Sequence, residues 1–107
     1  MAVYLIDAKI DYNLVGDKLS QLLPAEWKVS EELYASGRML GIWRKANAKG
    51  VVAIWDMPSH EAVNEQLRAM PLYPYMSAIS VEPLIAHPRY PQFCAPLHRD
   101  HAKTAPA

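Results

Sequence analysis

The architecture of this chain is clearest from residues 38–57, RMLGIWRKANAKGVVAIWDM. Two apolar segments rich in β-branched and aromatic residues, Arg38–Arg44 and Val51–Met57, are typical of strands. The link between them, Lys45–Gly50, is polar and ends in a glycine, which favours a hairpin turn. The sequence therefore predicts two adjacent antiparallel strands in the middle of the chain.

A helix is predicted on each side of this hairpin. At about 100° of rotation per residue, Gly16–Ser36 gathers its apolar residues on one face, and Gly37 is a suitable end for the helix. Pro24 lies inside this stretch and is expected to kink it or shift its phase. The second helix begins after Ser59, a typical N-cap, and ends before Pro71. The apolar face of the first helix consists of Leu19, Leu22, Leu23, Val29 and Leu33.

Two further strands, Val3–Ile10 and Met76–Leu84, complete the order β-α-β-β-α-β. This order predicts an α+β, ferredoxin-like domain over residues 1–90, with a four-stranded antiparallel sheet and both helices on one face. The strands carry more apolar area than two short helices can cover, as Trp43, Trp55, Val52, Ile54 and Ile79 show. We therefore expect the free face of the sheet to pack against a second copy, giving a dimeric α+β barrel. Residues 91–107, rich in proline and alanine, are expected to form a tail or arm.

Composition limits the classes of function. The chain has 107 residues, and its eleven basic side chains balance eleven acidic ones. This balance gives no electrostatic basis for binding nucleic acid or an anionic membrane, and it makes self-association plausible. The one cysteine, Cys94, and a start without a signal-like or membrane-spanning segment predict a cytoplasmic protein. His98 and His101 stand in the tail without a cysteine or acidic cluster beside them, so no metal site is predicted.

One acidic residue interrupts the apolar face of the first helix. Glu26 falls near the middle of the leucine stripe, where burial makes the ionised carboxylate costly and should raise its pKa. A carboxylate with a raised pKa is suited to general acid–base catalysis near neutral pH. A structural alternative is an ion pair between Glu26 and Lys9 or Arg44.

Several blocks of the sequence resemble the muconolactone isomerase family. They are Ile42-Trp43-Arg44, Ile54–Ser59 (IWDMPS), Met70–Met76 (MPLYPYM) and His87-Pro88, in the order and at nearly the distances expected of that family. The resemblance implies a cofactor-free isomerase of aromatic degradation, which moves a proton on an unsaturated lactone that bears a carboxylate. It also implies a dimeric α+β barrel that assembles into larger rings of dimers.

The resemblance assigns roles to particular residues. The proposed catalytic glutamate of the family aligns with Glu26, the residue that the helix pattern also singles out. A substrate carboxylate is best held by an arginine, and Arg44 within the first block is the candidate. Tyr75, Trp43 and His87 are the other candidate substrate-binding residues. Each has a structural alternative: Arg44 as an ion-pair partner, Tyr75 as a plug in its loop, Trp43 as a core or interface residue, and His87 as the end of the last strand.

The sequence departs from the family pattern at polar positions. Family members tend to have tryptophan and arginine where Met39 and Leu40 stand, and asparagine where Val51 stands. These exchanges imply a different substrate, for example in a dehalogenase-type lyase acting on chloromuconolactone. Two other functions remain open: a monooxygenase of the dimeric-barrel type that uses Trp43, Trp55 and His60, and a barrel that binds a small molecule without catalysis.

Overall fold

The structure, a computed structural model, describes residues 2–94 and confirms the predicted order of strands and helices. An additional short helix lies between the first strand and the long helix. Three 3-10 turns, Gly16–Lys18, Tyr73–Tyr75 and Pro91–Cys94, flank the main elements. The main elements are β1 (Ala2–Ile10), α1 (Tyr12–Val15), α2 (Leu19–Ala35), β2 (Met39–Arg44), β3 (Gly50–Met57), α3 (His60–Ala69) and β4 (Met76–Leu84).

The four strands form one sheet in the order β2-β3-β1-β4, and every neighbouring pair is antiparallel. This is the predicted ferredoxin-like topology, in which the first and third strands lie at the centre of the sheet. The register places Ile6 opposite Ala53 and Val81, and Ala8 opposite Val51 and Ile79. Because side chains alternate along a strand, these residues all lie on one face of the sheet.

The two long helices cover that face and form the core with it. Val63 and Leu67 of α3 and Leu33 of α2 pack against Tyr4 and Trp55 of the sheet. Ser59 caps α3 as predicted, since its hydroxyl accepts a hydrogen bond of 3.1 Å from the amide of Ala62. A smaller cluster lies where the end of β1 meets the start of α2, and Ile10, Val15 and Leu72 are its buried members.

The start of the long helix differs from the prediction, because its first three predicted residues form a 3-10 turn. The stretch Gly16–Lys18 is a 3-10 turn, and α2 proper starts at Leu19 and continues through Pro24 to Ala35. It ends where predicted, because Gly37 takes a left-handed backbone conformation, with φ of 82°, just beyond the last turn. The apolar stripe of this helix packs on the core side, which confirms its predicted face.

The link of the central hairpin ends at Gly50, a position that has no space for a side chain. Lys45 and Gly50 pair across the link, and the left-handed residue of the turn is Ala48, with φ of 61°. A Cβ atom at Gly50 would lie 2.1 Å from the carbonyl oxygen of Ala8 on β1. The glycine therefore allows β3 to approach β1 closely at the end of the sheet.

The other face of the sheet carries Trp43 and Val52, and Ile54 lies beside them. Trp43 is 56% exposed in the single chain, and its ring lies over Gly41. Trp55 and Ile79 point to the helix side instead, so they do not add to this open face. Pairing of the open faces of two copies stays a prediction.

Within residues 2–94, no helix is both long enough and apolar enough to cross a membrane. The same part of the chain holds no group of three or more His, Cys, Asp or Glu residues arranged to bind a metal ion. His98 and His101, and most of the predicted tail, lie outside the described residues.

Candidate active site

A cavity of about 380 Å³ opens between helix α2 and the helix-facing side of the sheet. Most of its wall is apolar, and side chains such as Leu23, Ile42 and Met76 supply it. Two charged side chains, Glu26 from α2 and Arg44 from the end of β2, also line it. A mostly apolar cavity with a few converging polar groups is the usual form of a small-molecule site.

Glu26 is fixed in the wall of this cavity by a hydrogen bond from a distant part of the chain. The amide of Leu72 donates to Glu26 Oε1 at 2.9 Å, although the two residues are 46 positions apart in the sequence. Leu72 is itself buried, at 3% exposure, in the connection between α3 and β4. The bond holds one carboxylate oxygen against the protein and restricts the rotation of the side chain.

Burial raises the pKa of the Glu26 carboxyl above its ordinary value of 4.5, and the hydrogen bond from Leu72 partly offsets this rise. Desolvation is the larger cause, because a half-buried carboxylate loses more hydration than one amide donor returns. The raised pKa agrees with the expectation from the leucine stripe. A carboxyl whose pKa is raised binds a proton more readily than an ordinary glutamate, as a general base requires.

This pKa gives stability a definite pH dependence. The folded protein holds the Glu26 proton at pH values where the unfolded chain has already lost it, so the contribution to stability is full below the ordinary pKa. It is lost as the pH rises through the raised pKa. We expect Glu26→Gln to become more stable relative to wild type between pH 4 and pH 7, as measured by urea unfolding. Glu31→Gln, at an exposed position of the same helix, is the matched control.

The ion-pair alternative for Glu26 is not what the structure shows. Lys9 lies on the open face of the sheet, since it alternates with Ala8 and Ile10, and cannot meet a side chain on the helix side. Arg44 shares the cavity with Glu26 without forming a salt bridge to it. Within residues 2–94 the structure has a single salt bridge, from Lys45 Nζ to Asp7 Oδ1 at 2.6 Å. Arg44 is exposed and available to a ligand.

A second, smaller cavity of about 40 Å³ lies deeper between α2, α3 and the sheet. We call it the inner cavity, and the larger one the outer cavity. Five residues line both and mark where they meet: Glu26, Ser30, Ile42, Val51 and Met76. Met39 lines the inner cavity, so two of the three apolar exchanges noted in the sequence, Met39 and Val51, lie in the walls of this site. Leu40 lines neither cavity.

The structure does not bring the other candidate binding residues to the inner or the outer cavity. Trp43 lies on the opposite face of the sheet. Tyr75 packs against the cluster of Ile10 and Leu72, and its backbone oxygen accepts a hydrogen bond of 2.8 Å from Asp11. His87 follows β4 in an exposed segment, where its ring centroid lies 5.0 Å from that of Tyr90.

The residues proposed for the monooxygenase alternative are also dispersed. Trp55 lines the inner cavity, whereas Trp43 faces the other side of the sheet. His60 packs edge-on against Tyr4 at the start of α3, with ring centroids 5.6 Å apart. These three residues therefore do not surround one site within the chain.

Sequence reasoning missed two hydroxyl groups of the site. Ser30 lies one helical turn after Glu26 and lines both cavities, and Tyr12 of α1 lines the outer one. Ser30 could have been predicted from the sequence, because residues four positions apart on a helix, such as Glu26 and Ser30, lie on the same face. Tyr12 had no such signal in the sequence, because α1 is a single turn. This turn begins after Asp11, whose side chain accepts a hydrogen bond from the amide of Leu14.

Comparison with known proteins identifies the family. The sequence model of the muconolactone delta-isomerase family matches residues 3–90. The chain belongs to the muconolactone delta-isomerase family. The muconolactone delta-isomerase of Acinetobacter baylyi is 32% identical over 83 residues, which is 78% of this chain and 85% of that protein. Membership of this family agrees with the resemblance noted in the sequence.

Solved structures support the same relationship. The crystal structure of a muconolactone isomerase superposes with a TM-score of 0.69 at 30% identity, over 80% of this chain and 91% of the other. A 5-chloro-2-hydroxyhydroquinone dehydrochlorinase from Burkholderia phenoliruptrix, solved with 2,5-dihydroxybenzoquinone, has a TM-score of 0.68. It is 16% identical over 81% of this chain and 97% of that chain, so this second likeness concerns the fold alone. Both the sequence and the fold of this chain therefore match the muconolactone delta-isomerase family.

Proposed function

We propose that this protein is an isomerase that moves a proton on a muconolactone-like lactone in the degradation of aromatic compounds. Family membership supports the reaction class, and the placement of Glu26 supports the mechanism. That placement, a half-buried carboxyl with a raised pKa in the wall of an apolar cavity, is the observation that carries the proposal. The general base of such a reaction needs these properties.

In the proposed reaction Glu26 acts as both base and acid. Its carboxylate removes a proton from the γ carbon of the α,β-unsaturated lactone, and the electron pair of that C–H bond moves into a dienolate. The protonated Glu26 then returns the proton two carbon atoms away, so the double bond changes position and the composition of the lactone is unchanged. Hydroxyl groups that line the outer cavity, on Ser30 and Tyr12, are proposed to donate hydrogen bonds to the dienolate oxygen.

Arg44 is proposed to hold the carboxylate of the substrate. Its guanidinium lines the same cavity as Glu26, is exposed, and forms no salt bridge with a described residue. A guanidinium binds a carboxylate through two parallel hydrogen bonds, which fixes the orientation of the ring as well as its position. Two negative groups, the substrate carboxylate and Glu26, are thereby held at different parts of one cavity.

We expect Arg44→Ala to raise KM for muconolactone by roughly 10-fold to 100-fold, because a charge-assisted hydrogen bond is worth about 1.5–3 kcal/mol. Arg44→Lys should recover only part of the affinity, since an ammonium cannot form the paired contact. Steady-state kinetics measures both. Arg38→Ala, which removes an exposed arginine that lines neither cavity, is the matched control and should leave KM unchanged. Equal KM for wild type and Arg44→Ala would show that Arg44 does not bind the substrate.

The function itself is tested by incubating the purified protein with muconolactone in deuterated water. Isomerisation changes the ultraviolet absorbance, and mass spectrometry follows the deuterium in the product. We expect turnover, with label incorporated wherever the Glu26 proton exchanges with solvent before it is returned. Failure to convert muconolactone or any ring-substituted muconolactone would contradict the proposal.

We also propose that this protein acts in the cytoplasm and that its copies associate with one another. The open face of the sheet carries the exposed Trp43 beside Val52, and near-zero net charge does not keep copies apart. Two such faces packed together would form the dimeric barrel expected of the sequence. Light scattering on wild type and on Trp43→Ser tests this, and a monomeric wild type would contradict it.

A further inference from the structure

We propose that the inner cavity binds a small apolar substituent on the substrate ring, of about the size of a methyl group. The preferred substrate of this protein is then a ring-methylated muconolactone rather than muconolactone itself. The inference rests on the proposed function and adds to it the class of substrate.

The position of the inner cavity supports this assignment. It meets the outer cavity at Glu26 and Ser30, the residues placed to contact the reacting ring. A group attached to that ring can therefore extend inward while the ring stays in the outer cavity beside the carboxyl. Arg44, by contrast, lines the outer cavity alone and would hold the opposite, charged part of the molecule.

The chemistry of the inner wall favours an apolar group. Apart from the five residues shared with the outer cavity, the wall consists of buried side chains, among them Met39, Ala53 and Trp55, which are 3–4% exposed. In the described part of the chain, the one polar atom that this deeper wall leaves buried without a partner is Trp55 Nε1. A buried water molecule usually needs two to four polar partners, so this space suits an apolar substituent better than water.

The size of the inner cavity limits the substituent. Its volume of about 40 Å³ exceeds what a single water molecule requires and is far smaller than a lactone ring. Part of this space is present because Ala8 and Ala53 stand opposite the helix, where larger strand residues would fill it. A methyl group fits, and a long alkyl chain does not.

The test compares muconolactone with a set of muconolactones that each carry one methyl group at a different ring carbon. For wild type we expect kcat/KM to be at least about 10-fold higher for one methylated isomer, since a methyl group placed in an apolar pocket is worth 10-fold or more in discrimination. Equal kcat/KM for muconolactone and all its methylated forms would overturn the inference and leave the proposed isomerase function standing. No turnover of any lactone would contradict both.

A substitution that fills the cavity supplies the second measurement. Ala53→Val adds two methyl groups in the inner wall, and we expect it to abolish the preference for the methylated lactone. Ala69→Val is the matched control, because Ala69 is an exposed residue at the end of α3 that lines neither cavity. It should keep both the activity and the preference of wild type. Preference retained in Ala53→Val would contradict the assignment.

A third measurement does not depend on activity. Xenon is an apolar atom that enters small apolar cavities, and it can be located in crystals under pressure. We expect xenon in the inner cavity of wild type and of Ala69→Val, and none there in Ala53→Val. Absence of xenon from the wild-type cavity would contradict its apolar character and so overturn the inference.

Discussion

Glu26→Gln is expected to lower kcat for the lactone by about 10²-fold to 10⁴-fold, the range that a positioned general acid–base group contributes. The glutamine side chain keeps an oxygen that can accept the hydrogen bond from the Leu72 amide, so the fold and the cavity should persist. It cannot accept a proton from carbon at neutral pH. The loss should therefore appear in kcat, with KM changed little, in steady-state kinetics on the purified variant.

The control for this prediction is another glutamate on the same helix. Glu32→Gln removes an equal charge at an exposed position that lines neither cavity, and it should retain wild-type kcat. Circular dichroism and the oligomeric state should be the same for wild type and both variants. Retention of activity within a few-fold in Glu26→Gln would show that the proton is moved by another group.

Gly50→Ala is expected to cause the largest loss of stability among single substitutions considered for this chain. The added Cβ would lie 2.1 Å from the carbonyl oxygen of Ala8 and 3.0 Å from Lys9 Cα, and both are backbone atoms of the central strand β1. Backbone cannot rotate away as a side chain can, so β1 and β3 must separate locally. We expect unfolding to become easier by about 3 kcal/mol or more, which corresponds to a Tm lower by roughly 10–20 °C.

The matched control is Gly41→Ala on the neighbouring strand. Its Cβ would meet the Trp43 ring at 2.8 Å, but that ring is a half-exposed side chain able to turn toward solvent. We expect a cost below about 1 kcal/mol. Thermal unfolding followed by circular dichroism compares the two variants. Equal melting temperatures for wild type and Gly50→Ala would show that the strands have more room than the structure gives them.

The sequence was sufficient for the architecture because each element carries a local signal. The hairpin has a polar link between two β-rich segments, α3 has its Ser59 cap, and α2 has a helical stripe that continues past Pro24. Glu26 was predictable for the same reason, since a charged residue in a stripe of leucines is visible from spacing alone. Arg44 was suggested only by the family resemblance, and strand alternation accounts for its place beside Glu26 in the outer cavity.

Other features depend on contacts between segments far apart in the chain, which no local pattern reports. The hydrogen bond from Leu72 to Glu26 joins the α3–β4 connection to the middle of α2. The inner cavity arises from how α2, α3 and the sheet pack, and the role of Met39 in its wall follows from that packing. The register of β2 also contains a bulge between Met39 and Gly41, which decides which face of the sheet each later residue of β2 occupies.

The Leu72 amide has a stereochemical consequence for the proposed reaction. With Oε1 of Glu26 tethered, Oε2 is the oxygen left to exchange a proton with the lactone. A carboxyl held in this way cannot swing around the ring, so departure and return of the proton occur on the same side of the molecule. In deuterated water the new CH2 group should therefore carry its deuterium on a single face, dictated by an amide that never touches the substrate.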